Sequence, residues 1–357
     1  MDITKIDKNF ENRYSFEGLE TYDVEQPPFR LFGLCRQPGE TDYKRLPHAV
    51  AESVANDGVK SLYTNTSGIR LRFKTDSKRI VLSCELPDLT NFPHMPRTGS
   101  SCFDLYADGR YCNVFRPGID LNGDYGDGPE NGHGYSSGYI FPDRRMREIL
   151  IHFPLYNNVS KVYVSLETEA SVAPCDDYKG KKPIVYYGSS ITQGGCASHP
   201  GNCYSAMISR RLDTDFINLG FSGSCRAEKE MAEYIGSLNM RALVLAYDHN
   251  APTPEFLQQT HEPFFKLFRQ YQRTTPVIFV SASDMSCGPQ AHMERKEIIR
   301  RTYLNAVAAG DQNIYFIDGD DIYKDVGLDY CTVDNAHPND LGFWCMANTI
   351  GVVLEKL

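Results

Sequence analysis

The sequence lacks the features that mark membrane proteins and nucleic-acid-binding proteins. No apolar run approaches the roughly 20 residues that a helix needs to cross a bilayer. Basic residues are outnumbered, with 37 Lys and Arg against 46 Asp and Glu, so the formal net charge is −9. Because binding to a phosphate backbone requires clustered cations, this balance argues against a nucleic-acid partner. We therefore expect a soluble protein that binds neither a membrane nor nucleic acid.

The eleven cysteines contain no Cys-x-x-Cys pair, and their spacing matches no zinc site. Met1–Asp7 also lack the basic-then-apolar profile of a secretory signal. Together these absences predict a cytoplasmic protein whose thiols are reduced and mostly buried.

The chain of 357 residues is long enough for two domains of roughly 150 residues each. In the first half, Ile69–Lys74 alternates apolar and cationic side chains, which predicts a half-buried strand with one apolar and one cationic face. Turn-forming clusters separate further strand candidates, which are Ile80–Leu86, Phe103–Ala107, Glu148–Phe153 and Lys161–Glu167. No long helical pattern intervenes, so we predict an all-β antiparallel sandwich or jelly roll over residues 1–173.

The second half alternates short apolar runs with longer helical ones, after a polar linker predicted at residues 174–183. The strand candidates are Ile184–Tyr187, Asp215–Leu219, Ala242–Tyr247, Pro276–Ser281 and Ile314–Asp318. The helix candidates are Tyr204–Leu212, Ala227–Ser237, Pro254–Tyr271, Met293–Ala309 and Leu341–Lys356. This alternation predicts an α/β domain over residues 184–357, with a parallel sheet between two layers of helices.

Residues suited to acyl transfer follow the predicted strands of the second half. Ser190 follows the first strand, Gly223 the second and Asn250 the third, while Asp334 and His337 lie beyond the last. Because ligands bind outside the carboxyl ends of parallel strands, we expect these residues to meet at one rim of the sheet.

The residue types define a chemistry. A serine hydroxyl is a weak nucleophile until a base takes its proton, and His337 is the candidate base for Ser190. Asp334 precedes His337 by three residues, close enough to accept from Nδ1 and leave Nε2 facing the serine. The backbone N–H groups of Ser190 and Gly223 and the side-chain amide of Asn250 are the candidate donors to an oxyanion.

Each candidate also has a structural interpretation. Ser190 alone could cap a helix, Asn250 could be a turn residue, and Gly223 could only permit a tight turn. Asp334 and His337 could form a surface pair. The order in which the four elements follow successive strands favours the catalytic interpretation.

Three other histidines are weaker candidates for the base. His133, three residues after Glu130, lies in a glycine-rich stretch where we expect a solvated loop. His199 could line the pocket, although a surface loop is the favoured interpretation. His249, beside Asn250, is expected to pack or to point outward.

Three further features are discounted. Gly134–Gly138 matches a Gly-x-Ser-x-Gly elbow, but it lacks the preceding strand and following helix that the elbow needs. Asp120–Tyr125 resembles a calcium loop, yet the glycine required at its sixth position is replaced by tyrosine. Trp344, the single tryptophan, is expected to pack in the core rather than stack on a sugar.

These motifs resemble those of the SGNH (GDSL) hydrolase superfamily, whose four blocks contribute Ser, Gly, Asn and His in that chain order. Gly188–Ser198 extends the resemblance beyond the core motif, as do Thr66–Phe73 and Phe103–Tyr106 in the first half. Together they are similar to two-domain esterases with an N-terminal jelly roll, notably the acetyl xylan esterases of carbohydrate esterase family two. Ser189 stands where the family usually has Asp, and Cys102 where related domains often have Gly.

The resemblance implies a three-layer SGNH-hydrolase domain with a flavodoxin-like parallel sheet, preceded by a jelly-roll domain. It also implies a serine esterase that needs no metal or other cofactor and deacetylates sugars or short oligosaccharides. A lipolytic or thioester-cleaving enzyme and a non-catalytic carbohydrate-binding protein remain alternatives. The resemblance leaves open whether the chain forms a homo-oligomer.

Overall fold

The computed structural model describes residues 16–36, 40, 42–116 and 134–357. Glu130, His133 and the segment Asp120–Tyr125 lie outside these residues. The described residues divide into two compact units. The first comprises the residues up to Lys44, Thr64–Asp177 and His199–Gly201, and the second comprises Arg45–Tyr63, Tyr178–Ser198 and Asn202–Leu357.

These units differ from the predicted boundaries in three places. Residues 45–63 belong to the second unit because Leu46, Ala51, Val54 and Val59 are buried in its core. Residues 199–201 belong to the first unit. The first strand of the second unit also begins at Gly180, within the predicted linker. No shift in composition marks either exchange, so the sequence alone did not indicate them.

The first unit is a sandwich of two antiparallel sheets, as predicted. Its strands are β1 (Leu19–Asp23), β2 (Arg30–Phe32), β3 (Arg70–Thr75), β4 (Arg79–Glu85), β5 (Phe103–Ala107), β6 (Arg110–Phe115), β7 (Tyr135–Ile140), β8 (Arg147–His152), β9 (Lys161–Glu167) and β10 (Val172–Ala173). One sheet has the order β1-β9-β4-β7, and the other has the order β10-β3-β8-β5-β6, with β2 paired to β3. Leu82 and Val164 of the first sheet share a core with Phe73, Leu105 and Ile151 of the second.

Arg70 and Arg72 on the cationic face of β3 are buried and Lys74 is partly exposed, so the predicted half-buried strand was wrong. Arg70 and Arg72 are at most 5% exposed. Arg72 pairs with Glu148 on the adjacent strand β8 and lies over the ring of Phe32. A paired guanidinium can therefore occupy a covered face that an alternating pattern assigns to solvent.

The second unit is a parallel α/β domain. Its strands are β11 (Gly180–Gly188), β12 (Thr214–Gly220), β13 (Ala242–Ala246), β14 (Val277–Val280) and β15 (Ile314–Ile317), in the order β12-β11-β13-β14-β15. The helices of the two units, in chain order, are α1 (His48–Ser53), α2 (Asp57–Leu62), α3 (Arg97–Ser100, in the first unit), α4 (Ser190–Gln193), α5 (Tyr204–Leu212), α6 (Lys229–Ser237), α7 (Pro254–Tyr271), α8 (Pro289–Ala308), α9 (Leu328–Cys331) and α10 (Asp340–Glu355).

Two neighbouring side chains of β11 show why helices cover both faces of this sheet. Successive residues of a strand point to opposite faces. Tyr186 packs against Tyr204 of α5, with ring centroids 5.4 Å apart, and Tyr187 stacks on Phe264 of α7 at 5.2 Å. From β11 the chain passes first to β12 on one side and then to β13 on the other side, so the direction in which strands are added reverses there. Ligands bind at such a point in parallel sheets, which makes the carboxyl ends of β11 and β13 the expected ligand site.

Several smaller expectations can be compared with the structure. Within the described residues, no helix has both the length and the apolar character that crossing a bilayer requires. Eight of the eleven cysteines are buried, as predicted. The elbow-like Gly134–Gly138 runs into β7 rather than into a helix, as its context indicated. Trp344 is 55% exposed, contrary to prediction, because α10 buries Phe343 and Met346 and leaves Trp344 on its outer side.

Candidate active site

The nucleophile candidate Ser190 begins helix α4 directly after β11. The helix cap is Ser189, whose Oγ accepts a hydrogen bond from the N–H of Ile191 at 3.2 Å. The alternative that Ser190 is the cap is therefore wrong. Before the cap, a Cβ at Gly188 would lie 2.2 Å from Thr192 Oγ1 and 2.5 Å from the carbonyl oxygen of Ala246. Glycine is therefore the residue that this close strand-to-helix turn accepts.

Ser190, His337 and Asp334 form one chain of hydrogen bonds. Ser190 Oγ lies 2.9 Å from His337 Nε2, and His337 Nδ1 lies 2.8 Å from Asp334 Oδ2. If Asp334 accepts a hydrogen from Nδ1, Nε2 carries the lone pair that can take the serine proton. The structure therefore brings these three predicted residues together in the arrangement that activates a serine.

A tight loop fixes the aspartate relative to the histidine. Asp334 Oδ1 accepts hydrogen bonds from the backbone N–H groups of His337 and Ala336, at 2.7 and 3.1 Å. The loop closes where the N–H of Val333 donates to the carbonyl oxygen of His337 at 2.9 Å. Burial raises the pKa of Asp334, but the backbone and ring hydrogen bonds from His337 outweigh this effect and lower the pKa. Asp334 is therefore held ionised opposite the imidazole.

Asp340, which the sequence analysis missed, links the loop of Ser190 to the loop of His337. Its carboxylate accepts from the N–H and hydroxyl of Ser198, at 2.8 and 2.5 Å, and from Asn202 Nδ2 at 2.9 Å. The N–H of Cys196 also donates to the carbonyl oxygen of Pro338 at 2.9 Å. These bonds hold the segment after Ser190 against the segment after His337.

The two remaining predicted site residues lie on the loops after β12 and β13. Gly223 has φ of +66°, and a Cβ there would meet open space, so backbone conformation rather than packing favours glycine. Asn250 ends a 3₁₀ turn, and its Oδ1 accepts from the N–H of Cys225 at 3.1 Å. This bond orients the amide and leaves Nδ2 as its donor. The assignment of Ser190, Gly223 and Asn250 as oxyanion donors stays a prediction.

Residues from distant parts of the chain hold the loop that carries Gly223. Arg45 donates to the carbonyl oxygens of Asn218 and Gly220, at 3.1 and 2.7 Å, across a separation of 175 residues in the latter case. Gln193, at the end of α4, accepts from the N–H of Ser222 at 2.9 Å. The sequence offered no local signal for these contacts, because neither side chain belongs to a recognisable motif.

His249 packs rather than points outward, which was one of the two expected outcomes, but the sequence did not indicate its ionic contacts. Its Nε2 lies 2.6 Å from Asp284 Oδ2, and its Nδ1 lies 3.5 Å from Asp248 Oδ1. Burial lowers the pKa of His249, but the hydrogen bonds and charges of the two carboxylates outweigh it and raise the pKa to about 10.

His199 is not the surface-loop histidine that the sequence favoured. Its side chain is 12% exposed, and its Nδ1 lies 2.6 Å from Asp104 Oδ2 within the first unit. The other oxygen of Asp104 lies 2.7 Å from His152 Nδ1. Burial alone would raise the pKa of Asp104. The charges and hydrogen bonds of His152 and His199 outweigh this effect, so the pKa lies below its ordinary value. The His199 ring also stacks on Tyr111, with centroids 4.5 Å apart.

Two family profiles match consecutive parts of the chain. Residues 181–355 match the GDSL-like lipase/acylhydrolase family, and residues 19–172 match the N-terminus of SGNH-hydrolase-type esterases. The second half of the chain therefore belongs to the GDSL-like lipase/acylhydrolase family and is preceded by the N-terminal domain of an SGNH-type esterase. These matches confirm the resemblance to the SGNH (GDSL) hydrolases and support the assignment of the chain as an esterase-type hydrolase.

Solved structures share the fold over most of the chain. A Bacteroides ovatus protein named a GDSL-like lipase is 28% identical, with a TM-score of 0.82 over 95% of this chain and 97% of that one. A salicylyl-acyltransferase from a tetracycline biosynthetic pathway is 18% identical, with a TM-score of 0.74 over 95% and 98%. An acetyl xylan esterase from the rumen bacterium Butyrivibrio proteoclasticus is 10% identical, with a TM-score of 0.58 over 95% and 98%. No protein with curated annotation matches the chain.

Replacement of Asp334 by Asn should lower kcat while KM changes little. The amide can hold the ring in the wrong tautomer and cannot stabilise the imidazolium, so we expect a loss of about 10²–10⁴-fold in kcat. The measurement is steady-state hydrolysis of 4-nitrophenyl acetate, with the exposed Asp321→Asn as the matched control. A kcat for Asp334→Asn equal to that of the control would contradict a catalytic role for Asp334.

The stabilisation that His249 provides should decline at alkaline pH. Its folded-state pKa of about 10 exceeds the ordinary value of 6.5, so the native state keeps a proton that the unfolded chain releases. The stabilisation is complete below about pH 6.5 and is lost as the pH rises towards 10. Urea unfolding should be measured for the wild type and for His249→Gln between these pH values. The difference between their free energies of unfolding should become smaller as the pH rises. A difference that is constant or grows would contradict the ionic assignment.

Proposed function

We propose that this protein is a serine esterase that removes O-acetyl groups from sugars or short oligosaccharides through an acyl-enzyme intermediate. The observation that carries the proposal is the chain from Ser190 Oγ through the His337 ring to Asp334, with contacts of 2.9 and 2.8 Å. Family membership supports ester hydrolysis. The fold shared with the acetyl xylan esterase, together with the sequence motifs, supports acetylated carbohydrate as the substrate.

The first half-reaction transfers the acetyl group to the enzyme. Ser190 Oγ attacks the ester carbonyl carbon while His337 Nε2 takes the hydroxyl proton, and Asp334 stabilises the resulting imidazolium. The carbonyl oxygen becomes an oxyanion, for which we assign the N–H groups of Ser190 and Gly223 and the amide of Asn250 as donors. The tetrahedral intermediate collapses when the sugar oxygen leaves with the proton from His337.

The second half-reaction regenerates the serine. Water replaces the sugar alcohol, and His337 takes one of its protons as the water oxygen attacks the acetyl carbon. The new tetrahedral intermediate expels Ser190 Oγ, which receives the proton back from His337. Acetate is released, and the enzyme returns to its starting state. The side chains of this site supply each proton transfer.

A second candidate is a lipolytic esterase that acts on longer acyl chains. The similarity to the Bacteroides ovatus protein named a GDSL-like lipase favours it. Both candidates use the same nucleophile and base, and they differ only in the space available to the acyl group. The expected cytoplasmic location stays a prediction for either one.

Acetate release from acetylated xylo-oligosaccharides should require Ser190. Wild type should release acetate, and Ser190→Ala should lose the activity because the variant lacks the hydroxyl that forms the acyl-enzyme. Ser237→Ala, which changes an exposed serine of the same unit, is the matched control. Acetate release that survives in Ser190→Ala would contradict the proposal.

A chain-length series of 4-nitrophenyl esters separates the two candidates. The acetyl assignment predicts that kcat/KM is highest for acetate and falls as the acyl chain lengthens. A value that rises beyond butyrate would favour the lipolytic candidate instead.

A further inference from the structure

A buried group of four charges adjoins Asn250 in the second unit. Asp248, Asp284 and Arg295 are each at most 6% exposed, and His249 lies among them with 19% of its side chain exposed. His249 Nε2 contacts Asp284 at 2.6 Å, and its other ring nitrogen lies 3.5 Å from Asp248. Arg295 donates to the backbone carbonyl oxygen of Asp248.

The four charges balance only when His249 is an imidazolium. Two carboxylates then face one imidazolium and one guanidinium, so the group is formally neutral. Removing one partner from a buried ionic group is costly because it leaves another charge uncompensated. The ring of His249 is therefore a bridge between two carboxylates on different segments, Asp248 on its own turn and Asp284 on the loop after β14.

The bridge fixes the backbone turn that carries Asn250. Asp248 Oδ2 accepts from the N–H of Ala282 at 2.8 Å, in the loop after β14. Within the turn, the N–H of Asn250 donates to the carbonyl oxygen of Tyr247 at 2.9 Å, and the N–H of Ala251 donates to that of Asp248 at 3.2 Å. The residues immediately before Asn250 are therefore anchored to the loop that follows β14.

The Asn250 side chain has its own anchor on the opposite flank. The N–H of Cys225 donates to Asn250 Oδ1 at 3.1 Å, which selects one orientation of the amide. With the backbone fixed by the ionic group and the oxygen fixed by Cys225, the direction of Nδ2 is set. An oxyanion donor must be fixed before the reaction, because reorientation during the reaction would cost part of its electrostatic benefit.

We propose that His249 is a positioning residue of the oxyanion hole, and that it fixes the donor amide of Asn250 by bridging Asp248 and Asp284. The proposal rests on the proposed function, since it gives Asn250 the role of donor to the ester oxyanion. In this role His249 acts through Asn250 and not on the reacting atoms. Its contribution therefore appears only while Asn250 is present to transmit it.

A double-mutant cycle tests this dependence directly. The four proteins are wild type, His249→Gln, Asn250→Ala and the double variant, assayed with 4-nitrophenyl acetate. Each kcat is expressed per active site titrated with a fluorophosphonate, so that a loss of folded protein does not enter the value. His292→Gln is the control, because it breaks another histidine–aspartate contact of 2.7 Å in the same unit, at a histidine that is more deeply buried than His249.

We expect Asn250→Ala to lower kcat by about 10²–10³-fold, as for the loss of one oxyanion donor. His249→Gln should lower kcat by about 10- to 100-fold with little change in KM, since misplacement of a donor affects mainly the transition state. In the Asn250→Ala background, His249→Gln should have no further effect on kcat. His292→Gln should leave kcat unchanged.

Two results would overturn the inference while leaving the proposed function intact. One is a loss from His249→Gln that is equally large with and without Asn250, and the other is an unchanged kcat for His249→Gln in the wild-type background. A wild-type kcat for Asn250→Ala would instead refute the donor role of Asn250 and the inference with it. If His249→Gln does not fold, Asp284→Asn removes the ionic partner of the same bridge and should show the same dependence on Asn250.

Discussion

The proposed chemistry depends on the 2.9 Å contact between Ser190 Oγ and His337 Nε2. These residues are 147 positions apart, so the geometry is a product of the fold and not of any local motif. The turn after β11 presents the serine, and the loop before α10 presents the histidine. Asp334 contacts the ring at Nδ1, and it is itself held by hydrogen bonds from the backbone N–H groups of Ala336 and His337. The proton-transfer path is therefore set before a substrate arrives.

Hydrogen bonds between loops stabilise the contact between Ser190 and His337. Asp340 connects the segment after Ser190 to the first turn of α10, and Gln193 connects α4 to the loop of Gly223. Arg45 fastens the carboxyl end of β12 by donating to two of its carbonyl oxygens. These side chains form hydrogen bonds where each loop leaves the sheet, so displacement of one loop would strain its neighbour. The second unit also includes residues 45–63, which precede most of the sandwich in the sequence.

The sequence was sufficient to predict the elements with strong periodicity and the residues within recognisable motifs. The bounds predicted for α5, α7, β5 and β9 agree with the structure, and the predicted hydrogen bonds from Ser190 to His337 and from His337 to Asp334 are present. The roles of Asp340 and Arg45 were not predicted because their partners are remote in sequence. Arg72 and Trp344 were misplaced because burial depends on what covers a face, and an alternating or helical pattern does not contain that information. Ser189 illustrates a further limit, since its hydroxyl caps α4 at a position where the family usually has an aspartate.

Covalent labelling measures the central contact most directly. A fluorophosphonate reacts with a serine only when a neighbouring base activates the hydroxyl, so mass spectrometry of the labelled protein identifies the nucleophile. The account predicts a single adduct on Ser190, formed at least about 10²-fold more slowly in His337→Ala. An adduct on a different residue, or equal labelling rates in wild type and His337→Ala, would contradict it.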